Sequence, residues 1–465
     1  MGELNERFRS CVENLKDLTL SPKKGKPVAV EIIPGSESIT FIHQQSRKRL
    51  HALTYDDIVY VVELPDKSVE VAALVKPGSD GACGCSPGTN STDTDRQLVQ
   101  VSFHSSCELT MFVEILNQLS FGKPVRRAKA VVVVNPVSGR GSARSDWERT
   151  VEPLLKRSGK FDYEVVVTEH SGHAIDIGAD LIVRSSQSLP ENEKLFIISI
   201  GGDGVVYELL NGIKNACPNT YLSVLNRLVL CPLPSGSGNG LSYSALCLAG
   251  ESFSMNCALR LLLRQKYGAK DLGLVTYDCE DPFAEHTTES RLFALTLSWG
   301  LVADVDIQSE FLRKYVGGFR FTLYGLFRVL KKQLYEGTLS CDNGFHEIEP
   351  DYLTVYATLV PVAGKTVILS TDKPLDDGQL RVHRLRGRDV SRVGLISAMS
   401  ELEKRRDHSK RIPGFDPIVT SGFELQPGLV KVPNSAGIVV DGEPLTSSAV
   451  KVSIIPRACS IFSSQ

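Results

Sequence analysis

The chain has 465 residues, of which 42% are hydrophobic and 23% are charged. Its 52 lysines and arginines nearly balance its 54 aspartates and glutamates, so the formal net charge is −2. This balance argues against nucleic acid as a partner, because binding a polyanion needs a strong positive field. The length predicts two or three domains. Apolar runs shorter than ~18 residues predict no membrane span, and no signal peptide is predicted. Eleven cysteines, an odd number scattered along the chain, predict reduced thiols in a cytoplasmic protein.

Residues 1–125 are predicted to form a β-rich N-terminal extension. Short strands are expected at 28–33, 38–43, 58–63, 68–74 and 98–103, and a helix at 108–119, where apolar residues recur with helical spacing. Several strands closed by one helix resemble a pleckstrin-homology (PH)-like barrel, and an unclassified β-rich extension is the alternative.

Residues 126–270 alternate strands and helices, which predicts an α/β lobe with a doubly wound, mostly parallel sheet. Strands are expected at 130–135, 163–168, 195–200 and 229–234, and helices at 147–157 and 173–184. Beyond 270 the hydrophobic period approaches two, so residues 271–465 are predicted to form a β-rich antiparallel C-terminal lobe. Its predicted strands are 272–275, 292–299, 352–360, 366–369, 380–384, 422–424, 429–432, 438–440 and 450–454.

Three glycine-rich turns follow apolar strands in the predicted α/β lobe, at 135–141, 201–204 and 235–240. Glycines let a polyphosphate approach the backbone, and the helix that opens behind each turn directs free N–H groups toward that anion. The spacing matches neither the dinucleotide fingerprint nor the Walker loop. Strand ends in open α/β sheets form a ligand crevice, so three such turns favour a nucleotide site over three purely structural turns.

Asp203 is the acid of the second turn, which places it to bind a metal or to accept a proton. A structural aspartate that caps a helix is the alternative.

In this order, the three turns resemble those of the catalytic domain of diacylglycerol and sphingosine kinases. Residues 297–306 resemble the sphingosine kinase segment that recognises the lipid head, and residues 437–443 resemble its C-terminal Val-Asp-Gly-Glu signature. The resemblance covers about residues 127–460. It implies a kinase that uses ATP and Mg²⁺ to phosphorylate the primary hydroxyl of sphingosine.

The same resemblance implies roles for individual residues. Asp203 would be the catalytic base, and the carboxylate that holds the metal stays unassigned. The residues implied at the nucleotide are Asn135, Pro136, Ser138, Gly139, Thr168, Glu169, Gly201, Gly202, Gly204, Ser235, Gly236, Ser237, Gly238, Arg313, Arg320 and Glu443.

The lipid head has its own predicted residues. A buried ammonium group requires a carboxylate partner, and the resemblance assigns that role to Asp306 and a substrate contact to Thr296. Asp304 and Asp306 alternate with apolar residues, so in a strand they would share a face. Two surface aspartates are the alternative. Ceramide and diacylglycerol lack the free amine, and a ceramide or diacylglycerol kinase, an NAD kinase and a non-catalytic lipid-binding adaptor remain competing functions.

Apolar residues with helical spacing at 319–330, among them Leu323, Leu326 and Phe327, lie among basic residues. This pattern fits an ordinary amphipathic helix on a core or a lipid gate that contacts anionic membranes reversibly.

Overall fold

The computed structural model describes residues 2–21, 27–76, 95–122, 127–139, 141–187, 190, 193–279, 287–309, 333–365, 367–371, 373–402, 416–428, 435, 437–445 and 449–464.

The N-terminal region is a seven-stranded antiparallel sheet in the order β4-β3-β2-β1-β7-β6-β5, flanked by two helices. Its aromatic residues connect helices and sheet: the Phe112 ring lies 5.3 Å from both Phe8 and Phe103. The sequence prediction missed α1, β1 and β4. The elements are α1 (Gly2–Glu13), β1 (Thr19–Leu20), β2 (Val28–Pro34), β3 (Ser38–His43), β4 (Arg49–Thr54), β5 (Ile58–Glu63), β6 (Val69–Val75), β7 (Gln97–His104) and α2 (Thr110–Phe121).

Buried ion pairs join this sheet to the α/β lobe. Arg96, whose side chain is 5% exposed, donates to Asp57 at 2.6 Å and to both carboxylate oxygens of Glu251 at 2.7 Å. The buried Glu70 accepts hydrogen bonds at 2.9 Å from two nitrogens of Arg157, whose side chain is 48% exposed. Charges buried in this way require their partners, so the two regions are fixed to each other.

The α/β lobe contains four parallel strands in the order β9-β8-β10-β11, as the doubly wound pattern requires. The predicted helix at 147–157 is interrupted by a π turn at Trp147–Val151. The strands are β8 (Ala128–Val134), β9 (Phe161–Val167), β10 (Leu195–Gly201) and β11 (Leu228–Pro234). The helices are α3 (Ala143–Asp146), α4 (Glu152–Ser158), α5 (His173–Gln187), α6 (Asp203–Ala216), α7 (Tyr221–Leu225), α8 (Gly240–Leu248) and α9 (Met255–Leu263).

Helices α5 and α6 cross closely because two glycines face the opposite backbone. A β-carbon on Gly212 would lie 2.0 Å from the Ile175 carbonyl oxygen, and one on Gly178 would lie 2.4 Å from that of Leu209. The helix that begins at Asp203 is thereby held against its neighbour.

The C-terminal half is mainly antiparallel and continues the same sheet, in which the described residues form fifteen strands. Strand β22 connects the halves, because it pairs in parallel with β11 and antiparallel with β12 and β19. The elements are β12 (Tyr267–Cys279), β13 (Thr287–Phe293), β14 (Thr296–Gly300), α10 (Leu301–Gln308), β15 (Tyr335–Cys341), β16 (His346–Thr358), β17 (Leu380–Arg386), α11 (Arg392–Leu402), β18 (Ile418–Thr420), β19 (Gly422–Pro427), β20 (Ile438–Val440), β21 (Glu443–Leu445) and β22 (Val450–Phe462).

Two predictions in this half were wrong. The expected strand at 292–299 is divided between β13 and β14, and the expected strand near 366–369 provides only an isolated bridge between Val362 and Ile368. The strand predicted at 429–432 lies outside the described residues.

Candidate active site

The turns singled out in the sequence open at one edge of the parallel sheet. Val134 of β8 lies between Val167 of β9 and Ile200 of β10, and Gly201 lies beside Pro234 of β11. β8 has β9 on one side and β10 on the other, so the crossovers leave it in opposite directions. This topological switch point is where ligands bind in open α/β sheets.

The glycines allow the three turns to touch. A β-carbon on Gly236 would lie 2.3 Å from the Gly202 Cα, and one on Gly139 would lie 2.6 Å from the Ser235 carbonyl oxygen. Gly139 also has a φ of +62°, which other residues rarely adopt. Ser138 is buried, and its Oγ lies 3.5 Å from the β-carbon position of Gly201.

Side chains fix the third turn internally. The Gly236 N–H donates to Asn239 Oδ1 at 2.9 Å, and Asn239 Nδ2 donates to the Gly236 carbonyl at 2.8 Å. Ser235 bonds Asp146. Ser237 and Gly238 are exposed at the rim. The Gly236 N–H is therefore already used in a hydrogen bond within the turn. Gly236 contributes to the site by allowing the second and third turns to pack closely, not by offering a free donor.

Asp203 lies where the second and third turns meet. Its carboxylate accepts the N–H groups of Gly240 at 2.7 Å and Leu241 at 3.1 Å, which begin helix α8. Desolvation raises its pKa to about 6, although those two hydrogen bonds oppose the rise. A carboxylate with this pKa is ionised at neutral pH and more basic than an ordinary aspartate.

Asp441 is a second buried carboxylate that the sequence analysis did not assign to the site. It accepts three backbone N–H groups, from Ala294 at 2.7 Å, Leu295 at 3.0 Å and Thr296 at 2.8 Å. Burial raises its pKa to about 6, and its charge contributes to the raised pKa of Asp203. Asp441 therefore positions Thr296 and adds negative potential. The Val-Asp-Gly-Glu signature was the available signal.

The strand assumed for Asp304 and Asp306 is wrong. Gly300, with a φ of +83°, starts helix α10, so the two aspartates do not share a face. Asp304 is buried and bonds the hydroxyls of Tyr335 and Ser435. Asp306 is half-buried, and its Oδ2 lies 3.8 Å from the β-carbon position of Gly442. Helix α10 thus gives the two residues different roles: Asp304 is structural, and Asp306 is directed at the site.

Tyr356 of β16 is a further site residue that the sequence analysis missed. Its side chain is hydrogen-bonded to Thr296, and its pKa is raised first by desolvation and then by the charges of Asp306, Asp441 and Asp203. Asp306, Asp441 and Asp203 are therefore close enough to Tyr356 for their charges to influence its pKa.

The segment after β9 lies beside the first turn. The Thr168 N–H donates to the Val134 carbonyl at 2.9 Å, and the Glu169 N–H donates to His173 Nδ1 at 3.0 Å. Asn135 is held against the second turn by its N–H bond to the Ile200 carbonyl at 3.0 Å.

Glu443 is exposed at the start of β21, after a turn in which Asp441 and Gly442 both have positive φ. Desolvation is the first cause of its raised pKa, and the charge of Glu208 is the second. It therefore lies near the same acidic cluster. Arg313 and Arg320 lie outside the described residues.

Comparison with known proteins agrees with this architecture. Residues 129–275 match the family described as "Diacylglycerol kinase catalytic domain". Sphingosine kinase 1 of Arabidopsis thaliana is 24% identical over 86% of this chain and 84% of that protein. Sphingosine kinase 1 of Homo sapiens is 27% identical over 71% of this chain and 90% of that protein. The chain is therefore similar to sphingosine kinases, and part of it matches a diacylglycerol kinase catalytic domain.

Two other matches are either shorter or lower in sequence identity. Sphingosine kinase 1 of Caenorhabditis elegans is 33% identical, but the match spans 47% of this chain and 45% of that protein. A putative diacylglycerol kinase from Bacillus anthracis superposes with a TM-score of 0.52 at 17% identity and covers 73% of this chain and 98% of its own. That likeness shows the fold alone.

No helix in the described ranges is both long and apolar enough to cross a membrane. Within the same residues, no group of three or more His, Cys, Asp or Glu side chains could hold a metal ion.

Proposed function

We propose that the chain transfers the γ-phosphoryl group of ATP to the primary hydroxyl of a sphingoid base. The observation that carries this proposal is Asp203, a carboxylate with a pKa of about 6 where the second and third glycine turns meet. Asp203 accepts the hydroxyl proton, the hydroxyl oxygen forms a bond to the γ-phosphorus, and ADP leaves.

The turns would hold the phosphates by close backbone approach and by groups such as Ser138. A bound Mg²⁺ would neutralise charge on the phosphate oxygens. Mg²⁺ keeps waters and needs only one or two protein carboxylates. The exposed Glu443 fits that demand better than Asp441, whose oxygens already accept three N–H groups.

Asp306 is the proposed partner of the substrate amine. It lies beside the 441–443 turn, and it interacts electrostatically with both Glu443 and Tyr356. A protonated amine in this half-buried volume offsets the negative charges, whereas the neutral heads of ceramide and diacylglycerol do not.

The test is phosphorylation by the full chain with labelled ATP, Mg²⁺ and an equimolar mixture of sphingosine, ceramide and diacylglycerol. We expect label on sphingosine alone. Asp203→Asn should lose turnover and keep ATP binding, whereas Asp162→Asn, at the exposed edge of β9, should change neither. Label on ceramide or diacylglycerol would refute the amine assignment. An absence of labelled lipid would favour an NAD kinase or an adaptor.

The membrane contact proposed for Leu323, Leu326 and Phe327 rests on sequence alone, because these residues lie outside the described ranges. Changing all three to serine should weaken binding to anionic liposomes. Unchanged binding would exclude this surface.

For the domains, we propose a β-rich N-terminal extension, possibly PH-like, at 1–125, a nucleotide-binding lobe at 126–270 and a lipid-binding lobe at 271–465. Seven antiparallel strands followed by helix α2 support the PH-like assignment.

A further inference from the structure

The sheet formed by β20, β14, β16 and β17 has one face that is polar on β14, β16 and β17. Directly opposed residues of antiparallel strands share a face. Thr296 opposes Thr358, and Ser298 opposes Tyr356, which in turn opposes His383. The alternate residues of the same strands form an apolar core on the other face; they include Leu297, Trp299, Val355, Ala357, Val382 and Val440.

This polar face is not a solvated surface. Ser298, His383 and Thr358 are at most 4% exposed, and Tyr356 is 9% exposed. The Thr358 hydroxyl is satisfied within the fold, because it donates to the Val360 carbonyl at 2.9 Å. Tyr356 differs, since its partner is a second hydroxyl, that of Thr296, at the edge of the acidic cluster.

The hydroxyl pair supplies a donor that the carboxylates lack. An ionised carboxylate can only accept hydrogen bonds, so Asp203, Asp306 and Asp441 suit the ammonium and hydroxyl protons of a lipid head. Two hydroxyls carry two protons, and the bond between Tyr356 and Thr296 uses one of them. Because its pKa is raised, Tyr356 stays protonated at physiological pH. One donor therefore remains for an acceptor oxygen of the substrate.

The surroundings of the Tyr356 ring indicate which part of a bound lipid would carry the acceptor oxygen. The ring belongs to a cluster of apolar side chains from β16, β17, α11 and the loops at 369 and 390, namely Leu353, Leu369, Leu385, Val390 and Leu395. The Tyr356 hydroxyl is bonded to Thr296 within the electrostatic range of the carboxylates, while its ring packs in this apolar cluster. Tyr356 thus marks the boundary between the polar head and the start of an alkyl chain.

We propose that Tyr356, together with Thr296, donates a hydrogen bond to a hydroxyl at the start of the alkyl chain, and so makes the enzyme favour sphingoid bases that carry a 4-hydroxyl. This inference rests on the proposed function and names its substrate class more narrowly. A site built to bond a substrate hydroxyl discriminates against the analogue that lacks it.

The test uses the full chain, Mg²⁺, ATP and an equimolar mixture of sphinganine and 4-hydroxysphinganine, which differ by one hydroxyl. The ratio of the two products gives the ratio of kcat/KM values and is independent of the folded fraction of enzyme. We expect the wild type to favour 4-hydroxysphinganine by about five- to tenfold, the worth of one hydrogen bond. Tyr356→Phe should bring the ratio to near parity.

Tyr352→Phe is the matched control. Tyr352 lies on the same strand, but its hydroxyl bonds Glu347 at 3.0 Å and its ring packs in the core of the other face. This variant should keep the wild-type ratio. If Tyr356→Phe keeps that ratio, or the wild type shows no preference, the inference fails and the proposed function stands. If neither base is phosphorylated, both fail.

Discussion

Replacing Gly236 by alanine tests whether contact between the glycine turns is required. The added β-carbon would lie 2.3 Å from the Gly202 Cα and 2.5 Å from its nitrogen. Both atoms belong to the backbone, so no side chain can rotate away. Ordinary carbon contacts begin near 3.5 Å, so the two turns must separate by roughly 1 Å.

A displacement of this size in a phosphoryl-transfer site costs about 100-fold in rate, or about 2.7 kcal/mol of transition-state stabilisation. We expect Gly236→Ala to lower kcat/KM for ATP by about that factor, measured with saturating sphingoid base. Gly268→Ala is the matched control, because its β-carbon would lie 3.9 Å from Ser463 and outside the site. Gly236→Ala activity within threefold of the wild type would refute the requirement for contact.

Three further predictions concern the base, the helix pair and the N-terminal interface. Because Asp203 must be ionised and its pKa is raised to about 6, kcat/KM should fall about tenfold per pH unit below pH 6. A pH–rate profile in which kcat/KM begins to fall only near pH 4 would contradict this. Gly212→Ala should destabilise the chain by at least ~1–3 kcal/mol in thermal or urea unfolding, since its β-carbon would meet the Ile175 carbonyl, and an unchanged midpoint would refute that packing. Arg96→Ala should lower the free energy of unfolding by about 3–5 kcal/mol, because it leaves buried carboxylates unpaired. Arg47→Ala removes an exposed ion pair and should lower it by only about 0–1 kcal/mol. Equal losses in the two variants would refute this difference between buried and exposed pairs.

The strands predicted well from the sequence are those that the pattern of neighbouring residues determines. Strands β3, β5 and β20 have the predicted bounds, because runs of β-branched and aromatic residues between turn residues leave few alternatives. Strand β4 was missed because 49–54 contains no valine or isoleucine. Helix α1 has a polar composition that also fits a loop.

The site could be predicted only where its residues are consecutive in the sequence, as in the glycine turns. The second and third turns each carry glycines next to a strand end, so their convergence followed from the rule for parallel sheets. Asp441 lies in the Val-Asp-Gly-Glu signature, but its place in the site, like that of Tyr356, depends on antiparallel pairing with β14, which the local sequence does not predict. The aspartate pair was misjudged because four alternating residues fit a strand, whereas the left-handed Gly300 begins a helix.

Strand β22 has a consequence for how the protein is made. Ser460 and Ile461 pair with Val229 and Leu230, so the parallel sheet is completed by residues synthesised long after its other strands. Until they emerge from the ribosome, β11 presents an unpaired edge to which other chains could add. Such long-range pairing slows folding. The stretch 129–275, expressed alone, would keep that edge open and would aggregate more readily than the longer chain.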